Sequence, residues 1–145
     1  MAIREMVLES EAETVALARG LAARAVAGDA FLLSGPLGAG KSTLARAFIR
    51  ARAGDAALEV PSPSFTLVQV YELEPPVAHF DLWRLAGEAD VEELGFEAAL
   101  AGIVLVEWPE RLGGLVPAGA VRIGLEWAEG ERRVVRIEGP ARVVS

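Results

Sequence analysis

The chain has 145 residues, 52% hydrophobic and 24% charged, which suits one domain over residues 1–145 and leaves too little length for two. A formal net charge of −7, with no basic cluster larger than Arg132-Arg133, argues against tight direct binding of nucleic acid, which needs cations laid along phosphates. No apolar run reaches the ~20 residues of a membrane span, and the absence of cysteine excludes a disulfide framework or a thiolate metal site.

The opening stretch MAIREMVLESEAE is acidic and lacks the basic-then-apolar pattern of a signal peptide, so a cytoplasmic location without membrane attachment is expected. Ser10 followed by Glu13 reads as a capping box, and the Ala- and Leu-rich stretch to Val26 as a helix stopped by Gly28-Asp29. Residues 30–34, AFLLS, form a short apolar run typical of a strand buried on both faces. A glycine-rich turn follows, then a helix from Lys41 to Ala53 closed by Gly54. The prolines of VPSPSF (60–65) force extended or turn geometry. Phe65–Leu73 and Val77–Phe80 read as strands around Pro75-Pro76, Glu88–Leu100 as an acidic amphipathic helix, and Ile103–Val106 as a second doubly buried strand. Alternation at Val121, Ile123, Leu125 and Trp127, resuming at Val135 and Ile137 after Glu129-Gly130, predicts a hairpin. This order suggests an α/β fold: a mixed sheet with a parallel centre, flanking helices and antiparallel additions at its edges.

Residues 35–42, GPLGAGKS, satisfy the phosphate-loop pattern G-x-x-x-x-G-K-S, between a buried strand and a helix. The candidate nucleotide-binding set is therefore Gly35, Pro36, Leu37, Gly38, Ala39, Gly40, Lys41, Ser42 and Thr43. Glycines let backbone N–H groups turn inward onto phosphate oxygens, and the helix N-terminus adds partial positive charge. Lys41 would carry the ammonium that meets the β- and γ-phosphates; Ser42 would supply a hydroxyl to Mg²⁺. Lys41 is the only lysine among 14 basic residues. A slim ammonium fits a tight loop around a tetrahedral phosphate where arginine's planar fork does not, so a chain otherwise written in arginine keeps lysine here.

A metal-bound triphosphate also needs a carboxylate near the metal, usually at the end of a buried strand. Asp81 and Glu107 each close such a run, and spacing alone does not divide their roles between holding magnesium and orienting water. Ser62, Ser64 and Thr66 offer hydroxyls on a rigid loop suited to sensing a γ-phosphate. His79, without a second His or a Cys, reads as a hydrogen-bonded strand residue rather than a metal ligand. Trp108 lies beside Glu107, and Arg84 and Arg111 are the interior candidates for neutralising charge in the transition state. A guanine-reading Asn/Thr-Lys-x-Asp element cannot exist when Lys41 is the sole lysine, so ATP is the expected nucleotide. A small-molecule phosphotransferase is the main rival, but it would need an arginine-rich lid and an acceptor pocket for which no insertion is visible. A nucleotide-dependent docking module is the other.

The successive segments GPLGAGKSTLARAF, VPSPSFTLVQVYE, HFDLWRL, EELGFEAAL and VLVEWPERLGGLVP resemble, in order, the motifs of the TsaE (YjeE) family of bacterial ATPases, over nearly the whole chain. The resemblance implies a P-loop NTPase-like domain that binds ATP and Mg²⁺ and supports threonylcarbamoyladenosine modification of tRNA by a TsaD–TsaB heterodimer. It further implies a feeble intrinsic ATPase stimulated by those partners, with tRNA held only indirectly. On this pattern Lys41 and Ser42 take the phosphate and magnesium positions, and Ser64 falls on the threonine of a switch-like S-P-T-F loop. Asp81 takes the water- or magnesium-orienting aspartate, Glu107 the metal-side acid, and Trp108 the tryptophan beside the nucleotide. Catalysis would fall to Asp81, Glu107 and Lys41, and metal binding to Ser42, Ser64 and Glu107. Ser42 and Ser64 stand where threonine is usual and keep the hydroxyl; Trp83 stands where tyrosine is usual and loses the phenol.

Overall fold

The computed structural model describes residues 1–144, built around one seven-stranded sheet. In chain order the elements are β1 (Ala2–Leu8), α1 (Glu11–Arg24), β2 (Ala30–Ser34), α2 (Lys41–Ala53), β3 (Val68–Tyr71), β4 (Val77–Asp81), α3 (Glu88–Glu93), α4 (Phe96–Ala99), β5 (Ile103–Glu107), a 3₁₀ segment (Pro109–Leu115), β6 (Val121–Trp127), β7 (Arg133–Gly139) and α5 (Ala141–Val144). The strand order is β1-β7-β6-β2-β5-β4-β3. Strands β6, β2, β5 and β4 are mutually parallel, while β3, β7 and β1 are antiparallel to their neighbours. The α/β class, the parallel centre and the antiparallel edges are as expected, with one refinement: the first strand of the hairpin, β6, belongs to the parallel centre.

Helices cover both faces of the sheet at β2, β5 and β4. On one side α1 and α2 pack on Phe31, Leu33, Leu105 and Ile123, with the rings of Phe31 and Phe48 5.0 Å apart. On the other, α3, α4 and the 3₁₀ segment cover Leu32, Val104, Val106 and Phe80, and Phe80 meets Phe96 edge-on at 5.4 Å. Strands β4 and β5 are consequently buried at every position, whereas β6 alternates because its second face is bare. Burying polar residues in β4 and β5 is costly, so the His, Asp and Glu they contain invite explanation.

Several boundaries differ from expectation. The Ser10 hydroxyl does cap α1, accepting from the Glu13 N–H at 3.4 Å, but the Glu13 carboxylate reaches back to the Glu9 N–H at 2.8 Å rather than to Ser10. The helix expected over 88–100 is two, because Gly95 adopts φ 81° and breaks it. The strand expected from Phe65 starts at Val68, because Ser64–Thr66 turn and Leu67 sits at φ 70°. Strand β1 was not expected; it exists by pairing along its whole length with β7, Ala2 against Gly139 to Leu8 against Arg133.

The turn between α1 and β2 is tied by Asp29, only 7% exposed. Its Oδ2 accepts from the Val26 N–H at 2.9 Å and from the Arg142 guanidinium, which joins α5 to the sheet. Asp29→Ala is expected to lower stability by about 1 kcal/mol in urea unfolding, the net loss of the hydrogen bond to the Val26 N–H, since both donors can turn to water; an unchanged midpoint would contradict this role. Among the described residues no helix is long and apolar enough to cross a membrane.

Candidate functional site

Between β2 and α2 the chain turns through residues 35–40 with Gly38 at φ 80° and Gly40 at φ 108°, a region that side chains disfavour. At Gly35 a Cβ would run into the carbonyl of Leu125, so the loop can lie this close to β6 only with glycine there. Gly40 is the N-cap of the 13-residue α2 and provides no capping side chain, and the first turn of the helix holds no acid. The first N–H groups of α2 are therefore free of side-chain caps and suited to an anion. Lys41, 5% exposed, folds back over the loop: its Nζ donates to the Gly35 carbonyl at 2.5 Å and lies 4.2 Å from the centre of the Trp108 ring. Trp108 is held in the left-handed region at φ 61°, a costly conformation for a bulky residue and one that concentrates at working sites.

The acids come from the C-terminal ends of β4 and β5, where Asp81 and Glu107 are register partners. The two-residue period of strands turns Val77, His79 and Asp81 of β4, and Ile103, Leu105 and Glu107 of β5, toward α2. The Ser42 hydroxyl at the start of α2 donates to Glu107 Oε1 at 3.3 Å. The second oxygen, Oε2, lies 2.7 Å from His79 Nε2. Asp81 is engaged separately: the Ser64 hydroxyl donates to Oδ2 at 3.2 Å, the Trp83 N–H to Oδ1 at 3.4 Å, and Ser62 lies 2.8 Å from Ser64. These groups line a cavity of about 370 Å³ bounded by Leu37, Gly38, Gly40, Lys41, Ser42, Thr43, Ser62, Ser64, Asp81, Trp83, Glu107 and Trp108.

Not every expected residue arrives there. Gly35 and Pro36 face the bare side of the sheet, beside Gly124 and Leu125. The side chain of Ala39 is packed in the core, so only its backbone can serve a ligand. Thr66 is exposed outside the cavity. Arg84 and Arg111, expected to be interior, are both exposed; Arg84 stacks on Phe65 at 5.5 Å, and neither lines the cavity. The turns that follow β4 and β5 carry both arginines outward.

A second cavity, about 160 Å³, opens on the far side of Gly38, Gly40 and Thr43, between Ser10, Glu11, Thr14, Glu131 and Arg133. Arg133 lies 4.0 Å over the ring of Trp127, its register partner across the hairpin. Sequence reasoning missed this group, because it assembles from α1, the loop and the β6–β7 turn. The available signal was the pair Trp127 and Arg133 flanking Glu129-Gly130.

The donors are hard oxygens: two hydroxyls and two carboxylates. Among the described residues no cluster of three or more His, Cys, Asp or Glu side chains could hold a metal alone. That combination suits Mg²⁺, which takes one or two protein oxygens and completes its shell with phosphates and water. Ser42, Glu107 and, across the cavity, Ser64 with Asp81 are the residues that could share it.

Comparison with known proteins adds a family. A family model described as threonylcarbamoyl adenosine biosynthesis protein TsaE matches residues 8–135. The chain is 37% identical over 132 residues to the tRNA threonylcarbamoyladenosine biosynthesis protein TsaE of Rickettsia conorii, covering 90% of this chain and 75% of that one. It is 37% identical over 110 residues to the TsaE of Aquifex aeolicus, covering 75% and 79%. The crystal structure of Bacillus subtilis YdiB superposes with a TM-score of 0.78 at 26% identity, covering 95% of this chain and 86% of that one.

Proposed function

The chain belongs to the TsaE family, the threonylcarbamoyl adenosine biosynthesis proteins, and from that premise we propose that it is a Mg²⁺-dependent ATPase subunit that drives a TsaD–TsaB heterodimer through repeated rounds of tRNA modification. The observation that carries the reading is the meeting of Lys41, Ser42, Asp81 and Glu107 around one cavity at the C-terminal ends of parallel strands. Open α/β sheets place ligands at that edge.

In this reading the loop amides and Lys41 bind the β- and γ-phosphates. Magnesium, when bound, would withdraw charge from the phosphate oxygens. Ser42 and Glu107 would hold it, with Ser64 as a third oxygen donor. Asp81, fixed by Ser64 and the Trp83 N–H, would orient water toward the terminal phosphate and hold the proton that water loses. The nucleoside end would pass Thr43 into the second cavity, against Arg133, which rests on the Trp127 ring. Leu37 and Trp83 line the cavity at 84% and 53% exposure, and Phe65, next to the lining residue Ser64 in the chain, is 87% exposed, apolar surface suited to a protein partner that closes over the site. With a charge of −7, tRNA contact falls to the partners.

The test follows γ-labelled ATP in the presence of purified TsaB, TsaD and tRNA. The expected result is label released as inorganic phosphate, together with ATP-dependent multiple turnover of tRNA modification. Label appearing on a small acceptor would favour a phosphotransferase, and modification indifferent to this chain and to ATP would overturn the proposal.

A further inference from the structure

The mechanism above uses every buried polar side chain at the site except one. His79 lies in the middle of β4, 2% exposed, on the same face as Asp81 and one strand period beneath it. Its register neighbours are Leu105 on β5 and Gln69 on β3. It touches neither cavity, and its Nδ1 is buried without a partner. An apolar residue there would pack against the core with no such orphan, so the histidine is an expense that packing does not explain.

Its other nitrogen supplies the reason. Nε2 lies 2.7 Å from Glu107 Oε2, while Glu107 Oε1 accepts from the Ser42 hydroxyl at 3.3 Å. The carboxylate is thus gripped at both ends, from below by β4 and from above by α2. An ionised carboxylate can only accept, so Nε2 must carry the proton. With Nδ1 unpartnered, the neutral tautomer protonated at Nε2 leaves a bare lone pair buried, whereas any form with Nδ1–H would bury an unpaired donor. Buried as it is, Glu107 has few other donors to fix its rotation, and an oxygen turned away from Ser42 could not share a cation with it.

We propose that His79 is a positioning residue: its Nε2–H fixes the rotation of Glu107 so that Oε1 faces the metal-binding side of the cavity. The inference rests on the functional reading above, in which Glu107 and Ser42 share Mg²⁺. His79 touches neither nucleotide nor metal; it acts through Glu107, as residues behind a metal ligand commonly do.

Two measurements test it. His79 is the only histidine in the chain, so a long-range ¹H–¹⁵N spectrum of the unaltered protein contains a single imidazole. It is expected to show the tautomer protonated at Nε2; a spectrum dominated by Nδ1–H would overturn the proposal. The second measurement compares ATP affinity with Mg²⁺ and with EDTA, by calorimetry, in the wild type, His79→Gln and His79→Leu. His79→Leu is expected to lose about tenfold or more of the affinity gained from Mg²⁺, while binding in EDTA changes by less than about twofold. His79→Gln, which keeps an N–H donor at a similar reach, is expected to recover most of the gain. An undiminished gain in His79→Leu, an equal loss with and without metal, or a glutamine variant no better than leucine would overturn the proposal. Should His79→Leu fail to fold, the glutamine variant and the tautomer decide. A wild type that binds ATP no better with Mg²⁺ than without would overturn the functional reading itself, whereas a gain shared equally by wild type and His79→Leu would overturn this inference alone.

Discussion

Replacing Lys41 with alanine is expected to weaken ATP binding by about a hundredfold or more while leaving the fold intact. On the ligand side the ammonium would supply charge-assisted hydrogen bonds to phosphate, each worth roughly 1.5–3 kcal/mol, and losing two of them reaches that factor. On the protein side the loss is small. Lys41 makes one hydrogen bond, to the Gly35 carbonyl, and rests on the face of Trp108. Removing it also removes a charge that is only 5% exposed, so the desolvation cost recovered offsets the contacts forfeited. Thermal unfolding should shift by a few degrees at most, about 1 kcal/mol for a domain of this size. Lys41→Arg should fail nearly as badly, because the wider guanidinium must fit between the loop backbone and an indole already 4.2 Å from Nζ. Calorimetric titration with Mg-ATP beside a thermal melt checks both halves; unchanged affinity in Lys41→Ala would contradict the assignment.

Glu107→Gln is expected to separate binding from hydrolysis. The substitution keeps the shape: the amide oxygen can accept from His79, and the amide nitrogen can donate to Ser42 Oγ, so neither neighbour is orphaned. What is lost is the negative charge that would face magnesium and the developing charge on the phosphate. Single-turnover hydrolysis should fall by roughly 10²–10³-fold, the scale of removing one preorganised electrostatic group, while the variant still binds nucleotide through Lys41 and the loop amides. In the reconstituted modification reaction it should support one round and stall. Normal multiple turnover by a variant that does not hydrolyse ATP would mean that nucleotide binding alone matters and that the chain is a docking module.

How far the sequence disclosed these features depended on how local their causes are. The glycine-rich loop was readable because eight consecutive residues carry its geometry: glycines where φ is positive, then lysine and serine at the start of a helix. Strands β2, β4 and β5 were readable because burial on both faces makes each a short apolar run, and Asp81 and Glu107 stood out as acids ending such runs. Strand β1 was not readable. Its residues do not alternate cleanly, and its stability comes from β7, more than a hundred residues away. The break at Gly95 was visible as a glycine but masked by an apolar period that continues across it. The outward direction of Arg84 and Arg111 was hidden because a side chain that follows a buried strand is aimed by the turn and not by the strand. The grip of His79 on Glu107 was hidden for a related reason: it depends on the β4–β5 register, which no single segment encodes.

The most direct test is a crystal structure of the protein with Mg²⁺ and a non-hydrolysable ATP analogue. The expected result is β- and γ-phosphates cradled by the amides of residues 37–42 with Lys41 turned onto them, and the cation between Ser42 and Glu107. A nucleotide bound elsewhere, or a loop that leaves its phosphates untouched, would contradict the assignment of this site.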